Sequence, residues 1–278
     1  MKKALTYILI LCMAAGLLAS CGAPKIVKSI GGFDVDEDLY SLFGEDDEKL
    51  ASFFAPYALA DEAGYDYKSD DFASLCETAR ERFLAEMYGG DRDALEREME
   101  EAGMTESSYE KITEQDTLKS ELYELLVENG KIETDETAVR EKLIDGGAVR
   151  VKRIIMKGGE GIEDLMKDTS EKIKSGTVTF EEVVRDLEKY AISGDIGNYG
   201  DSFIVVRGNS DKVYEDTCFS LGVGEVSEPI ETSAGLCLVK RCELTPDMID
   251  EILSDLVTSY DEGQFNIMLE QKAEEMLK

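Results

Sequence analysis

Few side chains in this sequence could carry chemistry. None of its 278 residues is a histidine, so a serine or cysteine nucleophile would have no imidazole base, and the common zinc sets lack a ligand. The cysteines are Cys12, Cys21, Cys76, Cys218, Cys237 and Cys242, with no C-x-x-C pair. Cys237 and Cys242 fall on opposite faces of a regular strand, which argues against a bond between them. A Cys218–Cys237 bond stays open, and buried free thiols are expected. Asp34, Asp36, Asp38 and Glu45 fall at calcium-loop spacing, but Leu39 stands where such a loop needs glycine. Aspartates at a helix start, capping free N–H groups and favouring the helix dipole, explain the run better. No cofactor and no metal is called for.

The elements that would position these groups are clearest from Tyr214 to Leu244. This stretch predicts a short helix, a turn broken by Gly222 and Gly224, a short strand, a tight turn and a closing strand. Val226 and Ile230 flank an extended Ser227-Glu228-Pro229. On the closing strand Leu236, Leu238 and Lys240 share one face, and Cys237, Val239 and Arg241 the other.

The run F-x-L-x-V-G-E-V-S-x-P-I-x-T-x-x-G-L (219–236) resembles the C-terminal half of a parvulin-type peptidyl-prolyl isomerase domain. Upstream pieces agree in order. Val149–Met156 resembles the family's first strand, and Ile173-Lys174-Ser175-Gly176 with Thr179-Phe180-Glu181-Glu182 its helix–turn–helix. Gly194-Asp195-Ile196-Gly197 resembles its "G-D-L-G" turn. The resemblance implies a proline pocket with Tyr214 and Phe219 near its aromatic, substrate-binding positions. It places Thr232 on a hydroxyl position beside the closing strand. The two strand histidines of the family are Arg153 and Cys237 here. The loop before the "G-D-L-G" turn is cut to Ala191-Ile192-Ser193, which leaves the family's loop cysteine or aspartate without a counterpart. Arg153, Cys237 and Thr232 therefore occupy the catalytic positions, and the implied isomerisation of Xaa-Pro bonds is weak or lost.

The rest of the chain predicts helices. One covers 46–64, bent near Pro56, with Phe53, Phe54, Tyr57 and Leu59 apolar. Ser69 caps the next, with Phe72, Leu75, Cys76, Ala79, Phe83 and Met87 at helical spacing up to Gly89-Gly90. A third runs from Asp91 to Ala102. Thr105 opens a long one, with Tyr109, Ile112, Leu122, Leu125 and Leu126 inward, ending at Asn129-Gly130. Thr134-Asp135-Glu136 starts a short one carrying Val139 and Leu143. After Thr245-Pro246 comes a last helix, interrupted at Gly263. This order, with Gly103-Met104-Thr105-Glu106, Ile132–Glu136 and the opening Val27–Leu39, resembles the helical N-terminal region of PrsA and SurA foldases. The fold class expected is α+β. Residues 33–146 form a helical chaperone-like domain, 147–244 an inserted parvulin-like antiparallel-sheet domain, and 245–278 a helix returning to the first domain.

Lys2 and Lys3, the apolar run Ala4–Leu18 and the small residues after it predict a signal peptide over 1–20. Leu18-Ala19-Ser20-Cys21 resembles the bacterial lipobox, which implies lipidation of Cys21, a tether over 21–32 and a place outside the cytoplasm. The net charge is −31, and near −33 without residues 1–20, which hold two lysines and no acid. Such a chain repels nucleic acid and anionic lipid headgroups. Expected partners are unfolded exported polypeptides and, through Cys21, a membrane; a homodimer is left open. The expected function is that of a lipid-anchored foldase or chaperone. A non-catalytic binding or scaffolding lipoprotein is the alternative.

Overall fold

The computed structural model describes residues 25–156, 161–190 (backbone alone over 186–190) and 202–278. The signal segment, Cys21, the Ala191–Ser193 loop and the Gly194–Gly197 turn lie outside the described residues. The chain divides into two units, Met1–Lys131 with Ile267–Lys278, and Ile132–Asn266. The architecture is α+β, one unit helical around a hairpin and the other built on an antiparallel sheet.

In the first unit β1 (Ile26–Ile30) pairs antiparallel with β2 (Phe33–Asp36). Gly31 and Gly32 take φ of +57° and +90°, the paired positive angles of a two-residue hairpin turn. The segment expected as tether is therefore a strand from Ile26 onward, with Ile30 buried. Then come α1 (Glu37–Leu42), α2 (Asp47–Ala63), α3 (Asp70–Tyr88), α4 (Arg92–Glu101) and α5 (Glu106–Glu128). Each starts on a side-chain cap: Asp36, Asp46, Ser69, Asp91 and Thr105. These caps satisfy N–H groups that the helix cannot. The α2 helix is buried nearly all round, through Leu50, Ala51, Phe53, Phe54, Tyr57 and Leu59, as a central helix must be. Its partner α5 buries Ile112, Leu118, Leu122 and Leu126, so Leu118 takes the place expected for Leu125. Leu75 and Met87, at helical spacing with Phe72 and Cys76, are 42% and 58% exposed. The α3 helix buries only Phe72 and Cys76, and α4 buries nothing.

The second unit starts with α6 (Glu136–Lys142) and a wide turn at Leu143–Gly147. It continues through β3 (Ala148–Met156), α7 (Ile162–Lys174), α8 (Phe180–Tyr190), β4 (Phe203–Val206) and α9 (Lys212–Ser220). It ends with β5 (Ile230–Thr232), β6 (Gly235–Cys242), α10 (Pro246–Asp250) and α11 (Leu253–Met276). Residues of α11 beyond Asn266 belong to the first unit, where Lys272 meets Glu62 at 2.5 Å. The sheet runs β4-β3-β6-β5, every pair antiparallel.

Each face of this sheet has its own core, because strand side chains alternate. On one face Ile154 and Leu238 pack with Met166, Phe180 and Val184 of α7 and α8. Further along, Ala148 and Val206 pack with Val139, Leu143, Ile249 and Leu256. That second cluster explains why the unit boundaries fall at 131 and 266 rather than at the expected 146 and 244: α6, α10 and the start of α11 are part of the sheet's core. The other face is covered by α9.

The extended piece Val226-Ser227 clasps β6. The Ser227 N–H donates to the Val239 carbonyl at 2.8 Å, and the Val239 N–H donates back to Ser227 Oγ at 2.9 Å. Ser170 of α7 donates its hydroxyl to the Ser227 carbonyl at 2.9 Å. The serine of the G-E-V-S-x-P run is thus a structural fastening, 5% exposed.

Candidate functional site

The face beneath α9 collects most of the residues singled out above. On β3 the parity of the strand sends Val149, Val151, Arg153 and Ile155 to this side. Their cross-strand partners on β6 include Cys237 opposite Ile155, Val239 opposite Arg153 and Arg241 opposite Val151. Tyr214 and Cys218, one turn apart on α9, close over them. Ile155, Phe203, Phe219, Leu221 and Ile230 pack at the edge of the cluster, each partly buried.

Arg153 sits at the centre. Its guanidinium carbon lies 4.7 Å from the Phe203 ring centroid and 5.7 Å from that of Tyr214. Both are cation–π distances. Among the described residues the guanidinium has no hydrogen bond and no ion pair.

Tyr214 is 5% exposed, a member of the core rather than an open pocket wall. Its hydroxyl makes no hydrogen bond of regular geometry among the described residues. Burial pushes the phenol well above the ordinary tyrosine range, the neighbouring Cys218 thiol adds to the rise, and Arg153 opposes it. Burial likewise raises the Cys218 thiol to about 11 and the Cys237 thiol to about 12. Both stay protonated near neutral pH and neither is a working nucleophile there. Cys76, Cys218 and Cys237 are buried free thiols, and Cys242 is half-buried and also free.

Phe219 lies at the edge, with the Arg207 guanidinium 3.9 Å from its ring centroid. Thr232 is on the same face at the end of the sheet. Its hydroxyl donates to the Gly235 carbonyl at 2.8 Å and accepts the Ala234 N–H at 3.3 Å, so it closes the β5–β6 turn. The structure therefore groups Arg153, Tyr214 and Cys237, sets Phe219 beside them, and commits Thr232 to the turn.

The sequence reading missed three contributors. Phe203 opens a Phe-Ile-Val-Val run whose alternation is a usable strand signal. Cys218 follows Tyr214 by one helical turn. Arg241 reaches across to donate to the Cys218 carbonyl at 3.0 Å, fixing the end of α9 on the sheet. Chemically, the face offers a desolvated apolar floor and a guanidinium that, among the described residues, has no hydrogen bond or ion pair. It can bind a peptide carbonyl beside an apolar ring; it has no base, no thiolate and, among the described residues, no group of acids or thiols able to hold a metal.

The family model described as "Rotamase: PPIC-type PPIASE domain" matches residues 149–243. The peptidyl-prolyl cis-trans isomerase Pin1 of Arabidopsis thaliana is 32% identical over 93 residues, covering 32% of this chain and 73% of that protein. The foldase protein PrsA of Staphylococcus aureus (strain Newman) is 23% identical over 288 residues, covering 89% of this chain and 85% of that protein. A crystal structure of the foldase protein PrsA from Streptococcus pneumoniae is 20% identical, with a TM-score of 0.35 over 92% of this chain and 94% of that one.

Proposed function

The chain belongs to the PPIC-type peptidyl-prolyl isomerase (rotamase) family, and on that premise we propose that it is a foldase which assists exported polypeptides outside the cytoplasm. Cys21 carries its lipid anchor. Its sheet unit binds Xaa-Pro segments and turns them over slowly.

The observation that carries this reading is the Arg153 guanidinium set against the Phe203 and Tyr214 rings in an apolar face. Rotation about a peptide bond meets a barrier of about 18–20 kcal/mol, and prolyl isomerisation unaided takes about tens to hundreds of seconds. Lowering that barrier needs no nucleophile. It needs a site that holds the ring, removes water from the amide and fits the twisted form better than either planar form. Partly buried Phe203, Phe219 and Ile230 supply the apolar seat. Arg153 supplies donors that hold the carbonyl while the chain beyond it turns. Tyr214 and Cys237 are buried beneath and support Arg153 without reaching substrate. With one polar group acting and no histidine pair, turnover is slow.

The test is to follow cis-to-trans conversion of Xaa-Pro peptides together with aggregation of an unfolded client. Arg153→Met keeps the apolar stem and removes the donors. It is expected to cut the rate enhancement about tenfold, less than the about 10²–10³ lost with a well-placed oxyanion donor. Wild-type acceleration unaffected by the substitution would sink the role given to Arg153. Suppression of aggregation with no acceleration would make the protein a holding chaperone, and neither activity would leave the scaffolding lipoprotein. The anchor has its own check: Cys21→Ala should move the chain from the membrane fraction to the soluble one, and retention at the membrane would refute lipidation there.

A further inference from the structure

The first unit holds a cavity of about 560 Å³ where the β1–β2 turn, α2 and α5 meet, within the about 300–1,000 Å³ usual for ligand sites. Its floor is aromatic. Phe33 and Phe54 stack at 5.2 Å with an interplanar angle of 11°, and Tyr67 meets Tyr57 edge-on at 5.3 Å. Phe54 and Tyr57 are buried, whereas Phe33 and Tyr67 are half-exposed and present apolar surface to an occupant.

The charge around this floor is one-sided. Asp34, Asp61 and Glu114 line it with two lysines, Lys68 and Lys111. Lys111 is taken up by its ion pair with buried Asp36. Lys68 lies over the Tyr67 ring, 5.1 Å from the centroid, so the floor already holds an ammonium against an aromatic face. The neighbouring Glu114 carboxyl interacts with the Tyr57 hydroxyl, and burial raises it above the ordinary glutamate range. Among the lining groups three carboxyls thus face one ammonium outside an ion pair, with Arg80 acting on Glu114 from nearby and the Tyr67 hydroxyl donating to Asp61 at 3.4 Å, over rings whose faces are themselves electron-rich. The whole chain, at −31, adds to the same bias and draws in positive segments while repelling negative ones.

We propose that this cleft binds an extended polypeptide segment in which a lysine or arginine adjoins an aromatic or aliphatic side chain, the apolar group lying on Phe33 and Tyr67 and the cation reaching Asp34, Asp61 and Glu114. The inference rests on the reading that unfolded polypeptides are the clients. It names which stretch of such a client the helical unit selects. The acidic walls make it selective, because an acidic segment would bring its charge beside three carboxyl groups with Lys68 alone to pair it.

The experiment titrates the full chain with short fluorescein-labelled peptides read by anisotropy. One peptide alternates lysine with phenylalanine and leucine, a second has glutamate for lysine, and a third has serine. The lysine peptide is expected to bind about tenfold more tightly than the serine peptide, with the glutamate peptide weakest. The triple substitution Asp34→Asn, Asp61→Asn, Glu114→Gln is expected to remove most of that preference, leaving the circular dichroism spectrum and the isomerase rate unchanged. Tyr67→Ser should weaken all three peptides alike. A photoreactive phenylalanine in the lysine peptide should tag β2 and α2. Equal affinities for the three peptides, an unchanged preference in the triple variant, or tagging elsewhere would each overturn the proposal. Loss of isomerase activity with the lysine preference intact would count against the proposed function and leave this site standing.

Discussion

Replacing Gly263 by alanine is expected to lower the Tm of the sheet-bearing unit by about 6 °C or more, from a destabilisation near the upper end of the about 1–3 kcal/mol that overpacking costs. Propensity alone gives the opposite sign, since alanine in a helix interior is favoured over glycine by about 1 kcal/mol. The contact decides it. A Cβ at Gly263 would stand 2.1 Å from the Arg207 carbonyl oxygen, and a backbone oxygen cannot turn aside as a side chain can. The loop after β4 crosses α11 here backbone to backbone. Gly208 is the other half of the crossing, and a Cβ on it would meet the Gly263 oxygen at 2.2 Å, at a φ of +89°. The Asn266 side chain donates to the Gly208 carbonyl at 2.9 Å, and Asn209 donates to the Ser259 carbonyl, so the loop is held against the helix and the strain has no easy outlet. Ser254→Ala, exposed in the same helix, serves as the control and should leave Tm within about 1 °C, as surface changes do. A Gly263→Ala protein as stable as wild type would show that the crossing is looser than these distances imply.

Gly263 also marks a limit of the sequence reading, which treats it as an interruption of the last helix. The helix runs on through it, from Leu253 to Met276, because glycine is tolerated in a helix interior when a close neighbour demands it. What made that neighbour invisible is separation: Arg207 is brought to Gly263 by tertiary folding, and no local pattern encodes it. The same holds for Phe203 and Arg153, whose contact joins residues on different strands. By contrast, the alternation over Leu236–Arg241 predicts both faces of β6 correctly, since period 2 is a local property. Helix starts at Ser69 and Thr105 are legible for the same reason, being capped within three residues. Identity of a side chain does not fix its exposure, however. Tyr214 stands where a pocket aromatic is expected and is buried; Thr232 stands at a hydroxyl position and spends its hydroxyl on a turn.

Lys111→Met is expected to destabilise the first unit by about 1–3 kcal/mol, because it strands the charge of buried Asp36, a cost reduced by the exposure of the Lys111 side chain, 35%. Asp36 is 3% exposed. Its Oδ1 accepts the Leu39 N–H at 2.9 Å, capping α1, and its Oδ2 takes the Lys111 ammonium from α5. One carboxylate thus joins the hairpin, the first helix and the long helix. Methionine fills the lysine stem's volume, so the loss reads the missing charge rather than a cavity. The discriminating variant adds Asp36→Asn. The amide oxygen can still cap Leu39, and the unpaired charge is gone, so the double variant should recover at least half of what Lys111→Met loses. Urea unfolding followed by circular dichroism gives the four corners of the cycle, and a coupling energy of about 1 kcal/mol or more is the expected result. Simple additivity of the two substitutions would mean that water already satisfies Asp36, and that the joint between the hairpin and α5 is held by apolar packing alone.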